Sequence, residues 1–303
     1  MSDSVVQPPP SHLASGLRCV FQPLVDLASG ELLGHEVLAR TSSGASPFNA
    51  PLTAAARHAL ERACLERALA QVRVPGGGAE GDLAAAHEGP AGGGAGPAVR
   101  SPRLFVNVSP ELVCAPDFPA LVAAAGPGRL SRVVLELTER DAVADPALLQ
   151  ERLAQLQALG AHIALDDFGA GHSGLLTLVQ VMPGFLKLDM GLIRGLHLHP
   201  YRQHLVRSLV AFAARVRATL VAEGVETWEE LEALLSLGVR HAQGFLLGVP
   251  ASCTRAPGAH FDEGRRRLLA RLPPARRTAA CAPASARGGT PARGSARAPR
   301  RAS

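Results

Sequence analysis

Aromatic side chains are scarce in this chain of 303 residues: nine Phe, one Tyr and one Trp, 4% of the whole. A nucleic-acid surface that stacks bases needs aromatics beside basic groups, and this chain has few to offer. Lysine is scarcer still. Of 31 basic residues, only Lys187 is not Arg. Cysteine is sparse as well: Cys19, Cys64, Cys114, Cys253 and Cys281 are odd in number and irregularly spaced, with no CxxC pair. That excludes a disulfide-built scaffold and reads as reduced thiols of a cytoplasmic protein. No run reaches the roughly 18–20 apolar residues that span a bilayer. The start, MSDSVVQPPPSHL, lacks a basic segment followed by an apolar one, so no secretory leader is expected. There is no G-x-S-x-G and no Cys/His pattern suited to nucleophilic catalysis. The 11 His form no ligand set; His197 and His199, before Pro200, read as a loop and a helix start.

What is present is a 47% apolar chain, too rich in core-forming residues to be wholly disordered and long enough for one large domain. Its formal charge of +5 divides unevenly. Residues 255–303 hold twelve Arg against Asp262 and Glu263, a balance of +10. Residues 1–254 hold nineteen basic residues against twenty-four acids, a balance of −5. The pI near 9.4 is therefore a property of the C-terminal segment, and the body is not expected to bind nucleic acid.

Two segments differ from the rest. Residues 75–102 contain nine Gly and four Pro, whose ordering would cost backbone entropy with almost no side chain to bury. They read as an insertion in a surface loop. Residues 1–14 read as a flexible N-terminus, and 252–303 as an Arg/Pro/Ala-rich tail, disordered beyond about 273. Between these lie β-rich runs at 18–25, 32–38, 104–108, 132–137, 162–166, 185–188, 219–222 and 239–245. Helical signals alternate with them: an apolar spacing over 54–72, Ser109-Pro110, Asp145-Pro146 with Gly160 as the stop, His199-Pro200 through about Arg217, and a capping box at Thr227–Glu230 closed by Gly238. The alternation implies a parallel sheet under helices. Eight strands fit a closed (β/α) barrel better than an open sheet, though both remain compatible with the pattern.

Polar residues recur where strands end: Glu36, Asn107, Glu136, Asp166, Asp167, Lys187 and Glu223. In such a barrel these ends share one face. Carboxylates brought together there repel unless a cation lies among them. Hard oxygen donors with one amide and no His or Cys favour Mg²⁺ or Mn²⁺ over zinc, and adjacent Asp166-Asp167 could serve two ions. Lys187, between Leu186 and Leu188, is a compact charge on a strand that reads as buried. The run from Gly169 to Gly174 matches G-x-G-x-x-G, but two aspartates precede it where a pyrophosphate would lie, which argues against a dinucleotide site. Trp228 reads as packing for the helix it opens.

Seven segments in order now resemble the EAL-domain cyclic di-GMP phosphodiesterases over roughly residues 15–251. They are FQPLVDLASGELLGHEVLAR (21–40), FVNVSPELV (105–113), LELTER (135–140), ALDDFGAGHSGL (164–175), LKLD (186–189), VAEGVET (221–227) and QGFLLGVP (243–250). The resemblance implies a TIM-like barrel that hydrolyses cyclic di-GMP to linear pGpG with Mg²⁺ or Mn²⁺, two ions in all. It casts Glu36, Asn107, Glu136 and Asp166 as ligands of one ion and Asp167 as a ligand of the second. Lys187 would hold the attacking water, with Glu223 as its partner. Gln243 would contact substrate or water, and Gln22, Leu38 and Arg40 the dinucleotide, Arg40 through phosphate. Glu139 would brace the loop after Asp167. The signature reads Glu-Val-Leu here, and Ala170 and His172 stand where the family usually has Thr and Tyr. That loop shapes a dimer interface in the family, so these two departures bear on dimerisation and regulation; a homodimer is the assembly the resemblance allows. The alternatives are a catalytically silent EAL domain that binds cyclic di-GMP or a protein, and an unrelated barrel acting on another phosphate ester.

Overall fold

The computed structural model describes residues 16–49, 51–73, 102–126, 128–138, 143–170, 174–252 and 259–271. The Gly-rich insertion, Glu139, His172 and the C-terminal segment beyond Arg271 lie outside them, apart from Pro102.

Eight strands close into a barrel in chain order. They are β1 Arg18–Asp26, β2 Leu32–Arg40, β3 Arg103–Asn107, β4 Val133–Thr138, β5 His162–Phe168, β6 Phe185–Leu188, β7 Thr219–Ala222 and β8 His241–Gln243. Every expected strand is present, β6 and β7 with the expected bounds and the others with shifted ends. β8 is shorter than the apolar run 239–245 at both ends.

One expectation needs correcting. The sheet is not wholly parallel: β1 runs antiparallel to both β2 and β8, while the remaining pairs are parallel. The reason is local. Only Leu27–Glu31 separates β1 from β2, far too short for a crossover helix, so the pair forms a hairpin. Its turn is held by Asp26 Oδ1, which accepts the backbone N–H of Ala28 (2.8 Å) and Ser29 (3.1 Å).

Nine helices cover the described barrel: α1 Ala54–Arg73, α2 Pro110–Cys114, α3 Phe118–Ala123, α4 Pro146–Ala158, α5 Gly174–Val181, α6 Met190–Ile193, α7 Pro200–Val216, α8 Trp228–Leu237 and α9 Ala259–Arg271. The capping residues act as their types dictate. Ser109 accepts Leu112 N–H, Asp145 accepts Leu148 N–H, and Thr227 with Glu230 completes a capping box. His199 occupies the N-cap of α7 without a side-chain cap bond. Nothing in the capping pattern announces α9. It buries Phe261 and Leu268, and Trp228 stacks on Phe261 with ring centroids 6.1 Å apart. The packed body therefore continues past residue 251 to α9.

Most of the apolar core lies outside the barrel. One cluster joins β2–β5 to α1–α4, and a second joins β5–β8 to α7–α9. The barrel interior holds a single small apolar layer of Leu24, Phe105, Val134, Ala164, Phe185 and Val221. Because side chains alternate along a strand, the next inward position on each strand lies two residues nearer the open end.

Candidate active site

At that next position the inward residue is polar on every strand or directly after it: Gln22, Glu36, Asn107, Glu136, Asp166, Lys187, Glu223 and Gln243. Since β1 is reversed, Gln22 precedes Leu24 in the chain yet lies nearer the open end; it pairs with Glu36 across the hairpin. Glu36 is mid-strand in β2, not at its end as expected, because the hairpin extends beyond the ring to Arg40. Leu38 and Arg40 follow Glu36 on the same face of β2, one and two steps further toward the open end.

Asp166 and Asp167 are also within a strand, since β5 continues to Phe168. The pairing of β5 with β6 slips here: Leu165 faces Leu186, but Phe168 faces Leu188. One extra residue is accommodated, and Asp167 takes it up at φ 54°. Phe168 consequently packs in the outer core. A left-handed backbone at a non-glycine residue is costly and marks a place the surrounding fold holds by force. The bulge frees Asp167 from the alternation that would otherwise bury it in the helical layer.

Lys187 is the hub. Its Nζ lies 2.6 Å from Glu223 Oε1, 2.7 Å from Glu136 Oε1, 3.1 Å from Asp166 Oδ1 and 3.8 Å from Glu36 Oε2, with no solvent exposure. Burial alone would push this ammonium toward neutrality, but the four carboxylates outweigh it and hold Lys187 well above its ordinary range. Burial pushes Glu136 well above the usual carboxylate range, with Glu36 and Asp166 adding to the rise and Lys187 opposing it. Glu223 is raised for the same first reason, with Asp166 as its principal repelling neighbour.

The amides close the ring. Asn107 Nδ2 donates to Glu36 Oε1 (3.0 Å) and to Glu136 Oε2 (3.3 Å). Gln243 Nε2 donates to Glu36 Oε2 (2.6 Å) and Gln22 Oε1 (3.0 Å), and Gln22 Nε2 donates to Gly248 O (3.2 Å). Gly244 allows Gln243 this position: a Cβ there would meet Val225 O at 2.1 Å.

Two carboxylate triplets emerge, each with ligand atoms within 4.8 Å: Glu36, Glu136 and Asp166, and Asp166, Asp167 and Glu223. They share Asp166. All donors are hard oxygens, which suits a divalent cation of the Mg²⁺, Mn²⁺ or Ca²⁺ kind. Five carboxylates against one ammonium leave four formal negatives, the charge of two such ions. Glu223 in the second triplet goes beyond the sequence reading, which cast it only as the partner of Lys187. No motif spacing signals this, because Glu223 and Asp167 meet only when the barrel closes.

A family model described as EAL domain matches residues 12–250. The chain belongs to the EAL domain family. Among its relatives, cyclic di-GMP phosphodiesterase PdeF of Escherichia coli K12 is 36% identical over 151 residues, 49% of this chain and 20% of that protein. The chain thus spans about a fifth of that relative's length. The EAL domain also superposes on solved structures. A manganese/cyclic di-GMP complex of Klebsiella pneumoniae BlrP1 gives a TM-score of 0.63 at 29% identity, covering 81% of this chain and 58% of that one. The EAL domain of Mycobacterium smegmatis DcpA gives 0.59 at 28% identity, covering 86% and 99%. In this EAL domain the signature tripeptide is Glu36-Val37-Leu38. Val37 is buried in the outer core, so the methyls it adds over alanine point into the helical layer, away from the carboxylates.

Proposed function

We propose that this EAL domain hydrolyses cyclic di-GMP to linear pGpG with two divalent cations, Mg²⁺ or Mn²⁺. The observation that carries the reading is the pair of carboxylate triplets sharing Asp166 beside a buried lysine. The two cyclic di-GMP proteins above, one of them a manganese complex, support the choice of ligand and metal.

Glu36, Glu136 and Asp166 would hold one ion with the amide of Asn107. The Asn107 NH₂ bridges Glu36 and Glu136, and a half-turn of the amide presents Oδ1 at the same place. Asp166, Asp167 and Glu223 would hold the other. Bound there, the ions would neutralise the phosphodiester, lower the pKa of water and stabilise in-line displacement. Lys187 stays protonated among its carboxylates, so it donates hydrogen bonds to the attacking water and takes no proton from it. Glu223, 2.6 Å from the Lys187 ammonium, would help to hold that water as the partner of Lys187. The water oxygen would form a bond to phosphorus and release its proton to solvent as the bond to the ribose O3′ breaks, and O3′ would take up a proton from solvent as the ring opens. Gln22 and Gln243 would orient the dinucleotide or water, Leu38 would pack against it, and Arg40 would meet a phosphate. Glu139, outside the described residues, keeps the bracing role its motif implies. Residues 15–251 form the phosphodiesterase unit in this reading, with α9 packed on it, and the protein acts in the cytoplasm. No helix among the described residues is long and apolar enough to cross a membrane.

The assembly we infer is a homodimer. Leu175, Leu176, Val179 and Met182 on and after α5 are 71–72% exposed, a cluster that a second copy would cover.

The test is incubation of the purified chain with cyclic di-GMP and Mn²⁺, with chromatography for pGpG. Product is expected, and Glu36→Ala should abolish it. Binding without product would make the protein a cyclic di-GMP-binding module, and activity in Glu36→Ala would overturn the site assignment.

A further inference from the structure

The helix α1 carries one acid on its apolar face. Glu61 stands four residues before Leu65 and seven before Ala68, both buried, and is itself only 6% exposed. An acid in that position must be hydrogen-bonded to remain there. Its partner lies 48 residues on: Glu61 Oε2 accepts the hydroxyl of Ser109 at 2.6 Å and the backbone N–H of Ser109 at 3.1 Å.

Ser109 closes the turn that leaves β3. Two residues earlier is Asn107, whose amide meets Glu36 and Glu136. Between them, Val108 N–H donates to Glu136 O at 2.9 Å. The chain after Asn107 is therefore pinned on one side to β4 and on the other to α1. The cap of α2 does not require this. Ser109 Oγ already accepts Leu112 N–H at 3.3 Å, and that bond needs no carboxylate behind it. What Glu61 adds is a fixed position for the Ser109 backbone and a fixed direction for its hydroxyl proton.

We propose that Glu61 is a positioning residue for Asn107, acting through Ser109 to hold the amide where it can serve a divalent cation. This rests on the reading of Asn107 as a cation ligand. Groups that orient a metal ligand typically change metal affinity about 10–100-fold when removed.

Mn²⁺ binding to the full chain, read by the electron paramagnetic resonance of free Mn²⁺ without substrate, tests it. Four proteins are compared: the parent, Asn107→Ala, Glu61→Gln and the double variant. Asn107→Ala should weaken Mn²⁺ binding, and Glu61→Gln should weaken it about tenfold. In the Asn107→Ala background, Glu61→Gln should cause no further loss, since its route to the ion is gone. Ser109→Thr, which keeps the hydroxyl, should retain parental affinity, while Ser109→Ala should lose part of it. Ser109→Ala also serves in place of Glu61→Gln should that variant not fold. Parental affinity in Glu61→Gln beside a weakened Asn107→Ala would overturn the proposal. So would losses that simply add in the double variant, the mark of a general structural role. Parental affinity in Asn107→Ala would instead overturn the ligand assignment beneath it.

Discussion

Replacing Lys187 by methionine removes the one ammonium among the ring carboxylates and leaves a side chain of similar length. The ion pairs at 2.6, 2.7 and 3.1 Å set the scale. At an effective dielectric of about 20, a pair near 2.7 Å is worth about 6 kcal/mol before the cost of burying the charges. That cost cancels much of it. Removing one partner of a buried pair typically leaves a net loss of about 3–5 kcal/mol, because the remaining charge stays buried without its mate. For a domain of this size, about 2–4 °C of melting temperature corresponds to each kcal/mol, so Lys187→Met should melt about 6–20 °C lower in EDTA. The deficit has a pH signature. Burial already holds Glu136 and Glu223 above the usual carboxylate range, and losing Lys187 raises them further. A carboxyl whose folded pKa exceeds its unfolded value releases protons on unfolding, so its folded state weakens as pH rises above the unfolded value near 4.5. The gap between variant and parent should therefore be wider at pH 8 than at pH 6. Mn²⁺ should narrow it, since a dication can replace the missing charge. Differential scanning fluorimetry at both pH values, with and without Mn²⁺, reads all of this. A variant that melts within 2 °C of the parent in EDTA at pH 8 would refute the claim that Lys187 balances the ring. A gap untouched by Mn²⁺ would refute the claim that cations take over that task.

Two further outcomes follow from groups outside the ring. His241, buried near Asp26 and Arg240 at the far end of the barrel, is held down to about 4 chiefly by burial. Its folded pKa is below its unfolded value, so the unfolded chain binds more protons between about pH 6.5 and 4, and stability falls as pH drops through that window. Between pH 7.5 and 4.5 this amounts to about 2–3 kcal/mol. Urea unfolding of His241→Gln should show a smaller acid loss by that amount, and an identical loss would contradict it. The exposed face of α5 supplies the other test. Leu176→Glu should convert a dimer to a monomer in sedimentation velocity while the chain still binds Mn²⁺; a parent protein that sediments as a monomer at high concentration would exclude this interface.

Much of the site is legible in the sequence because chemistry and local signals coincide there. Ser109-Pro110 ends β3 just after Asn107, and the strand run before Lys187 ends at Leu188, where Asp189 caps α6. Glu36 is harder to place. The pattern puts it near a strand end, whereas β2 runs on to Arg40 because its hairpin partner β1 extends with it. The reversal of β1 was implicit in the five-residue link 27–31, but a helix-strand alternation read as uniformly parallel hides it. Glu61 left only a faint trace, a single acid on an apolar helical stripe, and its partner Ser109 is distant in sequence.

The chain by itself determines the elements, their caps and the residue types that favour a hard cation, since these depend on neighbours a few residues apart. Only closure of the barrel decides that the eight inward polar residues converge at one end, because their register depends on pairing across the whole sheet. The bulge at Asp167 is likewise tertiary: one extra residue against β6 turns a side chain from the helical layer to the site. The lone lysine, a compositional oddity in the sequence, acquires its four carboxylate neighbours only when strands far apart in the chain converge.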